Sequence, residues 1–92
     1  MKFMTTWTFP TGNIPAAAER FLAGGGQPEA GTKLLGRWHN ADCSGGFALY
    51  ETDDPVALYK GAAKWADLLE LSSVAVIEDA DAGPVLASLY KK

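Results

Sequence analysis

Residues 2–9 read Lys2-Phe3-Met4-Thr5-Thr6-Trp7-Thr8-Phe9, a stretch rich in threonine and aromatic residues that is typical of a β-strand. Successive side chains of a strand point to opposite faces of its sheet. Phe3, Trp7 and Phe9 would share one face, while Met4 and two threonines occupy the other. Neither face has the charged character of a solvated surface, so this strand predicts a sheet that is covered on both sides.

The same two-sided apolar pattern recurs in three later strands, which we expect over residues 32–40, 46–51 and 71–77. Residues 41–45 are a short segment of turn-forming residues, of the length that joins antiparallel neighbours. The sheet is therefore expected to have four strands, with apolar side chains on both of its faces.

Two helices fall between these strands. The first begins near Asn13, a plausible N-cap, and carries an apolar stripe of helical spacing before Gly24-Gly25-Gly26 ends it. The second is capped by Asp53 or Asp54, has Pro55 near its first position and runs to about Glu70. A short helix over about 84–90 is expected to follow a solvated connection at residues 78–81.

The resulting order, β-α-β-β-α-β, is that of the ferredoxin-like α+β fold, a four-stranded antiparallel sheet with two helices on one face. The 92 residues suit a single domain, 1–92. Because two helices cover one face only, a second copy of the chain is the expected cover for the other face. The alternative is that the C-terminal segment, with Val85, Leu86, Leu89 and Tyr90, folds across the sheet.

Composition restricts the function further. The net charge of −3, with no cluster of lysine or arginine, argues against nucleic-acid binding. The single cysteine, Cys43, suits a reducing compartment, and the opening residues lack the pattern of a signal peptide. No stretch reaches the roughly 18 apolar residues of a membrane span. We therefore expect a cytoplasmic protein that does not associate with membranes.

The stretch Lys33-Leu34-Leu35-Gly36-Arg37-Trp38-His39 resembles the hallmark of a small microbial family of unknown function. Phe3 to Trp7, residues 46–49 and residues 64–69 match the same pattern, so the resemblance covers nearly the whole chain. It implies a member of the dimeric α+β barrels, whose relatives include monooxygenases of antibiotic biosynthesis, haem-degrading enzymes and muconolactone isomerases. The group hosts many chemistries, so the resemblance implies a fold and no particular reaction.

His39 is the candidate catalytic residue, because histidine is the residue type suited to acid–base chemistry at neutral pH. It is expected to share a strand face with Leu35 and Arg37, with Trp7 on the same side. It would act as a general base or hydrogen-bond a ligand at the edge of a pocket. The structural interpretation makes it a strand-end residue bonded to a backbone carbonyl or to the partner chain.

Arg37, Trp7, Trp38 and Tyr50 are the candidate ligand-binding residues. Arg37 would either hold the carboxylate of a small ligand or pair with Glu51 or Glu78, within or between subunits. The aromatic residues would either line a pocket for a flat ligand or serve as packing. No spacing of ligands predicts a metal site, and no cofactor is specified.

Two functions from different classes follow from these residues. The first is a homodimeric barrel, enzymatic or not, that binds a small aromatic or lipophilic ligand, in a pocket between sheet and helices or within the sheet–sheet interface. The second is a non-enzymatic protein-interaction module, favoured by the absence of any recognisable pair of nucleophile and base.

Overall fold

Four strands and three helices make up the structure, a computed structural model that describes residues 1–91. They follow in the order β1 (Lys2–Thr8), α1 (Ile14–Arg20), β2 (Lys33–His39), β3 (Gly45–Glu51), α2 (Pro55–Trp65), β4 (Glu70–Val76) and α3 (Asp79–Tyr90). The strands lie side by side as β2-β3-β1-β4, and all neighbours are antiparallel. The expected α+β chain with a four-stranded antiparallel sheet is confirmed.

Strand register assigns each side chain to a face, because directly opposed residues of antiparallel strands lie on the same side. Trp7 is opposite Gly46, and Phe3 is opposite Tyr50. We call the face with Trp7 and Tyr50 the helix face, because α1 and α2 lie over it. Met4 is opposite Leu49 and Val74, and the face that carries them is the open face.

Residue Asn13 precedes α1, as expected, but its side-chain amide donates to the carbonyl oxygen of Leu68, at 3.1 Å. This bond ties the start of α1 to the link between α2 and β4. Beyond Arg20 the helix widens into a π-helical turn over Phe21–Gly25, where Gly24 takes a φ of +97°. Glycine reaches this left-handed conformation without a steric penalty, so the expected stop signal operates.

Helix α2 is capped by Asp54, whose carboxylate accepts a hydrogen bond from the Val56 N–H at 3.0 Å. The helix ends at Trp65, so the expectation that it runs to about Glu70 is wrong. Glu70 is already the first residue of β4 and lies opposite Thr8. The chain must therefore turn before it, and the backbone N–H groups of Leu68 and Leu69 both donate to the Trp65 carbonyl.

Helix α3 begins at Asp79, so residues 79–81 belong to it and not to a solvated connection. Asp79 and Asp81 occupy its first turn, where carboxylates complement the helix dipole, and Pro84 is accommodated inside the helix. Every residue of α3 is exposed except Ala82, which is half-buried. The radius of gyration is 15.8 Å, against about 12 Å for a compact chain of this length. The expected alternative, in which this segment covers the sheet, is not adopted.

The interior of the protomer is built from small side chains. Among residues 1–91 the buried apolar residues are Ala17, Ala48 and Ala57, and no large side chain is fully buried. Large apolar residues remain accessible on the open face, where Trp38 is 50% exposed and Val74 is 56% exposed. The sheet therefore keeps apolar surface on both faces after the protomer has folded.

Gly46 provides a test of the packing on the helix face. A Cβ atom at this position would stand 2.6 Å from the Trp7 ring and would also meet the Trp38 carbonyl. We expect Gly46→Ala to displace the indole and lower the free energy of unfolding by about 1–3 kcal/mol, as overpacking does. Chemical denaturation measures the change.

Gly83→Ala is the matched control, because nothing lies within 4 Å of the added carbon and alanine favours a helix. It should leave stability unchanged or raise it slightly. Equal losses of stability in the two variants would contradict the close approach of Trp7 to β3.

Candidate ligand-binding cavity

A cavity of about 630 Å³ lies between the helix face of the sheet and the layer formed by α1, the π-helical turn and α2. Its floor includes Thr5 and Ala48 at the centre of the sheet, and its roof includes Ala17, Ala57 and Gly61 on the helices. These positions carry small side chains where a filled core would carry leucine, valine or phenylalanine. The cavity therefore results from side-chain size at the centre of the layer.

The three buried alanines all line this cavity. Around them α1 contributes Ile14, and the π-helical turn contributes Phe21 and Leu22. Leu58, Ala62 and Trp65 follow from α2, at the helical spacing expected from the sequence. The two helices thus present their apolar sides toward the sheet without filling the space above it.

A bulge in β2 decides which of its side chains enter the cavity. The pairing of β2 with β3 shifts between Leu34, which is opposite Tyr50, and Gly36, which is opposite Leu49. One extra residue in a strand moves the following side chains to the other face. Arg37 and His39 consequently lie on the helix face and line the cavity. The bulged residue Leu35 does not line it, contrary to the expectation that all three share one face.

His39 is held between two aromatic rings at one end of the cavity. The centroid of its imidazole lies 5.5 Å from that of Trp7 and 5.6 Å from that of Phe21. Both pairs meet edge to face, with interplanar angles of 80° and 71°. This geometry orients the imidazole and leaves it exposed to a molecule that enters the cavity.

Arg37 lies on the same strand and the same face. Its Nη2 donates to the carbonyl oxygen of Gly26 at 2.5 Å, and its guanidinium carbon lies 5.4 Å from the centre of the Phe21 ring. The expected ion pair with Glu51 or Glu78 is not formed within the protomer, and a pair between subunits stays a prediction. Glu51 is opposite Lys2 on the open face, and Glu78 binds the Lys2 ammonium at 2.7 Å.

Trp7 and Tyr50 also line the cavity, so the structure brings together four of the five residues singled out in the sequence. Trp38 lies on the open face, where its ring stacks on Phe47 with 5.4 Å between centroids. Alternation along β2 explains the separation, since Trp38 falls between Arg37 and His39 and must point the other way. Trp38 therefore does not line this cavity, and its expected role in ligand binding stays a prediction.

An ion-pair clamp holds the helix layer together above the cavity. Arg20 donates to both oxygens of Asp67 at 2.8 Å and to the Lys64 carbonyl at 2.9 Å. Its guanidinium also lies 5.2 Å from the centre of the Trp65 ring. These hydrogen bonds, above all, lower the pKa of the Asp67 carboxyl.

A second ion pair joins α2 to the loop before β2. The Lys64 ammonium lies 2.6 Å from a carboxylate oxygen of Glu29, and this hydrogen bond lowers the pKa of Glu29. Trp65 adds a bond from its indole N–H to the Gly25 carbonyl, at 3.2 Å. The C-terminal half of α2 is thereby fixed to the glycine-rich turn and to the loop that follows it.

Residues 1–91 form neither a metal-binding cluster nor a membrane-spanning helix. No group of three His, Cys, Asp or Glu side chains is placed there to hold a metal ion. None of the helices in this range is long and apolar enough to cross a membrane.

The chain matches, over residues 1–90, the model of a family described as "Domain of unknown function (DUF3303)". It is a member of the DUF3303 family. The DUF3303 chain is also similar in fold to a solved structure, Rv0793 from Mycobacterium tuberculosis. The two chains share 15% sequence identity, with a TM-score of 0.52, over 86% of this chain and 97% of the other. This likeness supports a ferredoxin-like type of fold; no curated protein matches the sequence.

Several cavity residues of this DUF3303 chain were not singled out as site residues in the sequence. Phe21, which contacts both His39 and Arg37, belongs to the helical stripe, and this pattern predicts packing alone. Thr5 and Ser73 share a hydrogen bond of 2.7 Å across β1 and β4. The sequence signal for Thr5 and Ser73 is the series of small residues at positions that face the centre of the sheet. Small side chains at these positions indicate a cavity above the sheet in place of a packed core.

We expect acid to weaken the Arg20–Asp67 and Lys64–Glu29 ion pairs of this DUF3303 chain. The pKa values of Asp67 and Glu29 are lowered in the folded state, so their stabilising contribution is present above the ordinary carboxyl value of about 4. It is lost as the pH falls through the lowered values. We expect the melting temperature to fall below pH 4, and to fall less steeply in Asp67→Asn.

The control is Glu19→Gln, which removes an exposed carboxylate next to Arg20 but outside the clamp. Melting curves between pH 7 and 2.5 measure the effect. If the melting temperature of Asp67→Asn fell with decreasing pH as steeply as that of the unmodified protein, the Arg20–Asp67 ion pair would not contribute to stability.

Proposed function

We propose that this DUF3303 chain binds a small aromatic or lipophilic molecule in the cavity between its sheet and its helices. The observation that carries the proposal is a cavity of about 630 Å³ whose lining is mainly apolar. Small-molecule sites typically have roughly 300–1,000 Å³, apolar walls and a few placed polar groups. The cavity has all three properties.

The arrangement of the lining supports a flat ligand. Trp7 and Phe21 offer aromatic surfaces on either side of His39, and Tyr50 adds a phenol on the neighbouring strand. Aromatic rings favour offset-stacked or edge-to-face contacts with other rings. Polar contacts would come from Arg37 and His39 at this same end, and His39 is the group that would exchange a proton with the ligand if the protein is an enzyme.

The second part of the proposal is a homodimer formed through the open face, as in a dimeric α+β barrel. Within one protomer the stacked Trp38 and Phe47, together with Leu49 and Val74, have no covering element among residues 1–91. Each large side chain of this kind contributes roughly 1.5–3 kcal/mol on full burial. A two-fold axis would place the same face of a second copy against it.

The exposed free thiol of Cys43 supports a reducing, cytoplasmic environment for this dimer.

A protein-interaction module remains the second candidate, and helix α3 is the observation that favours it. This helix projects from the sheet with Val85, Leu86, Leu89 and Tyr90 more than half exposed. Exposed apolar residues that recur along one helix are a common basis for docking to another protein. If no small molecule binds in the cavity, the interaction module is the better supported of the two candidates.

Cavity binding is tested with N-phenyl-1-naphthylamine, a neutral dye whose fluorescence rises in apolar surroundings. We expect saturable binding of one dye per protomer. The double variant Ala18→Phe/Ala62→Phe puts two rings into the cavity lining and should weaken binding at least tenfold. Fluorescence titration gives the dissociation constants.

The matched control is Ala16→Phe/Ala63→Phe, which adds the same two rings to exposed positions one or two residues away, outside the lining. It should bind the dye as the unmodified protein does. Equal binding by the two double variants would place the dye elsewhere and contradict the proposal.

Dimerisation is tested with Trp38→Glu. The substitution places a charge at the centre of the proposed interface, twice in a two-fold dimer, and should raise the dissociation constant about a hundredfold or more. Sedimentation velocity at micromolar concentration would then show monomers.

Val56→Glu is the control, because Val56 is 72% exposed at the start of α2 and away from the open face. It should remain dimeric. A folded Trp38→Glu variant with the mass of the unmodified dimer would contradict pairing through this face.

A further inference from the structure

We infer that the ligand of this cavity carries an anionic group and that Arg37 binds that group. The inference rests on the proposed function and makes it specific: the chemical class is an aromatic molecule with a carboxylate, sulfonate or similar anion. It is carried by the charges of the cavity lining, which differ in sign from the charge of the whole chain.

The chain has a net charge of −3, yet cations predominate in the cavity lining. Arg20, Arg37 and Lys64 contribute positive charges, and Glu29 contributes the single acidic side chain. An acidic protein that gathers cations around an apolar cavity creates a positive potential there, which favours an anionic ligand.

Two of the three cations are neutralised by the protein itself. Arg20 is paired with Asp67 through both of its terminal nitrogens, and Lys64 is paired with Glu29. Arg37 has no carboxylate within ion-pair distance among residues 1–91. The positive charge that remains in the lining is therefore that of Arg37.

The Arg37 guanidinium also retains hydrogen-bonding capacity. A guanidinium carries five N–H donors, and the side-chain hydrogen bond found for Arg37 within residues 1–91 uses one of them, toward Gly26. The Phe21 ring lies beneath it, with 5.4 Å between the guanidinium carbon and the ring centre, and consumes no donor. A planar, oriented guanidinium of this kind matches the two oxygens of a carboxylate or sulfonate.

Space for the rest of the ligand lies directly beside Arg37. The register places Arg37 opposite Ala48, Ala48 opposite Thr5, and Thr5 opposite Ser73, so one row crosses the whole sheet. The last three side chains of the row are small and line the cavity. An aromatic ring system can therefore lie over this row with its anionic group at Arg37, next to Trp7 and His39.

The test compares two dyes with the same phenylnaphthylamine skeleton. 8-Anilino-1-naphthalenesulfonate carries a sulfonate, and N-phenyl-1-naphthylamine carries no charge. We expect the unmodified protein to bind the anionic dye about tenfold more tightly. Rising NaCl concentration should weaken the binding of the anionic dye and leave that of the neutral dye unchanged, a readout that requires no variant.

Arg37→Gln should abolish the preference for the anionic dye while the neutral dye still binds. Arg37→Lys keeps the charge but not the two-pronged geometry, and should retain part of the preference. Lys60→Gln removes one positive charge outside the cavity lining and is the control for a general charge effect. It should keep the full preference.

Three results would overturn the inference while leaving the proposed function intact. They are equal affinities of the unmodified protein for the two dyes, an unchanged preference in Arg37→Gln, and an equal loss of preference in Lys60→Gln. If Arg37→Gln does not fold, two other measurements decide whether the inference holds. They are the preference of Arg37→Lys for the anionic dye and the salt dependence of dye binding to the unmodified protein. If neither dye binds in the cavity, the proposed function fails, and the inference fails with it.

Discussion

The hydrophobic effect requires both faces of this sheet to be covered, and the protomer by itself covers neither completely. On the helix face, α1 and α2 lie over the strands but enclose a cavity lined by alanine, glycine and threonine. On the open face, Trp38 and Phe47 stack on each other and stay partly in contact with water. The proposed ligand and the proposed second copy each supply the apolar surface that one face lacks.

The chemistry of the cavity depends on its position between a rigid sheet and a pinned helix layer. The bulge in β2 directs Arg37 and His39 into the same space, while the bonds of Arg20 and Lys64 hold α2 and the glycine-rich turn above it. Among the Arg and Lys side chains of the cavity lining, Arg37 is the one without a carboxylate partner in residues 1–91. Trp7 and Phe21 confine it, with His39, to one end, so a ligand would be oriented by a polar end and an apolar body.

Local patterns were sufficient to predict the four strands, the helices between them and the sides of these helices that carry apolar residues. Alternation along β1 predicted the face of Trp7, and helical spacing predicted the sides of α1 and α2 that meet the sheet. The end of α2 was not predictable from its periodicity, because Leu68 and Leu69 continue the apolar pattern while the pairing of Glu70 with Thr8 forces a turn. The lack of an ion pair for Arg37 within residues 1–91 was not predictable either. Sequence spacing does not show how far Glu51 and Glu78 lie from Arg37 in the fold.

By itself, the sequence determined the β-α-β-β-α-β order, the two apolar faces of the sheet and the shared face of Arg37 and His39, because these follow from periodicities of two and 3.6 residues. Only the tertiary structure decided that the helix face encloses a cavity, that the bulge in β2 turns Arg37 and His39 toward it, and that α3 projects away. Such features depend on strand register and on the distance between layers, which are set by contacts between residues far apart in the chain.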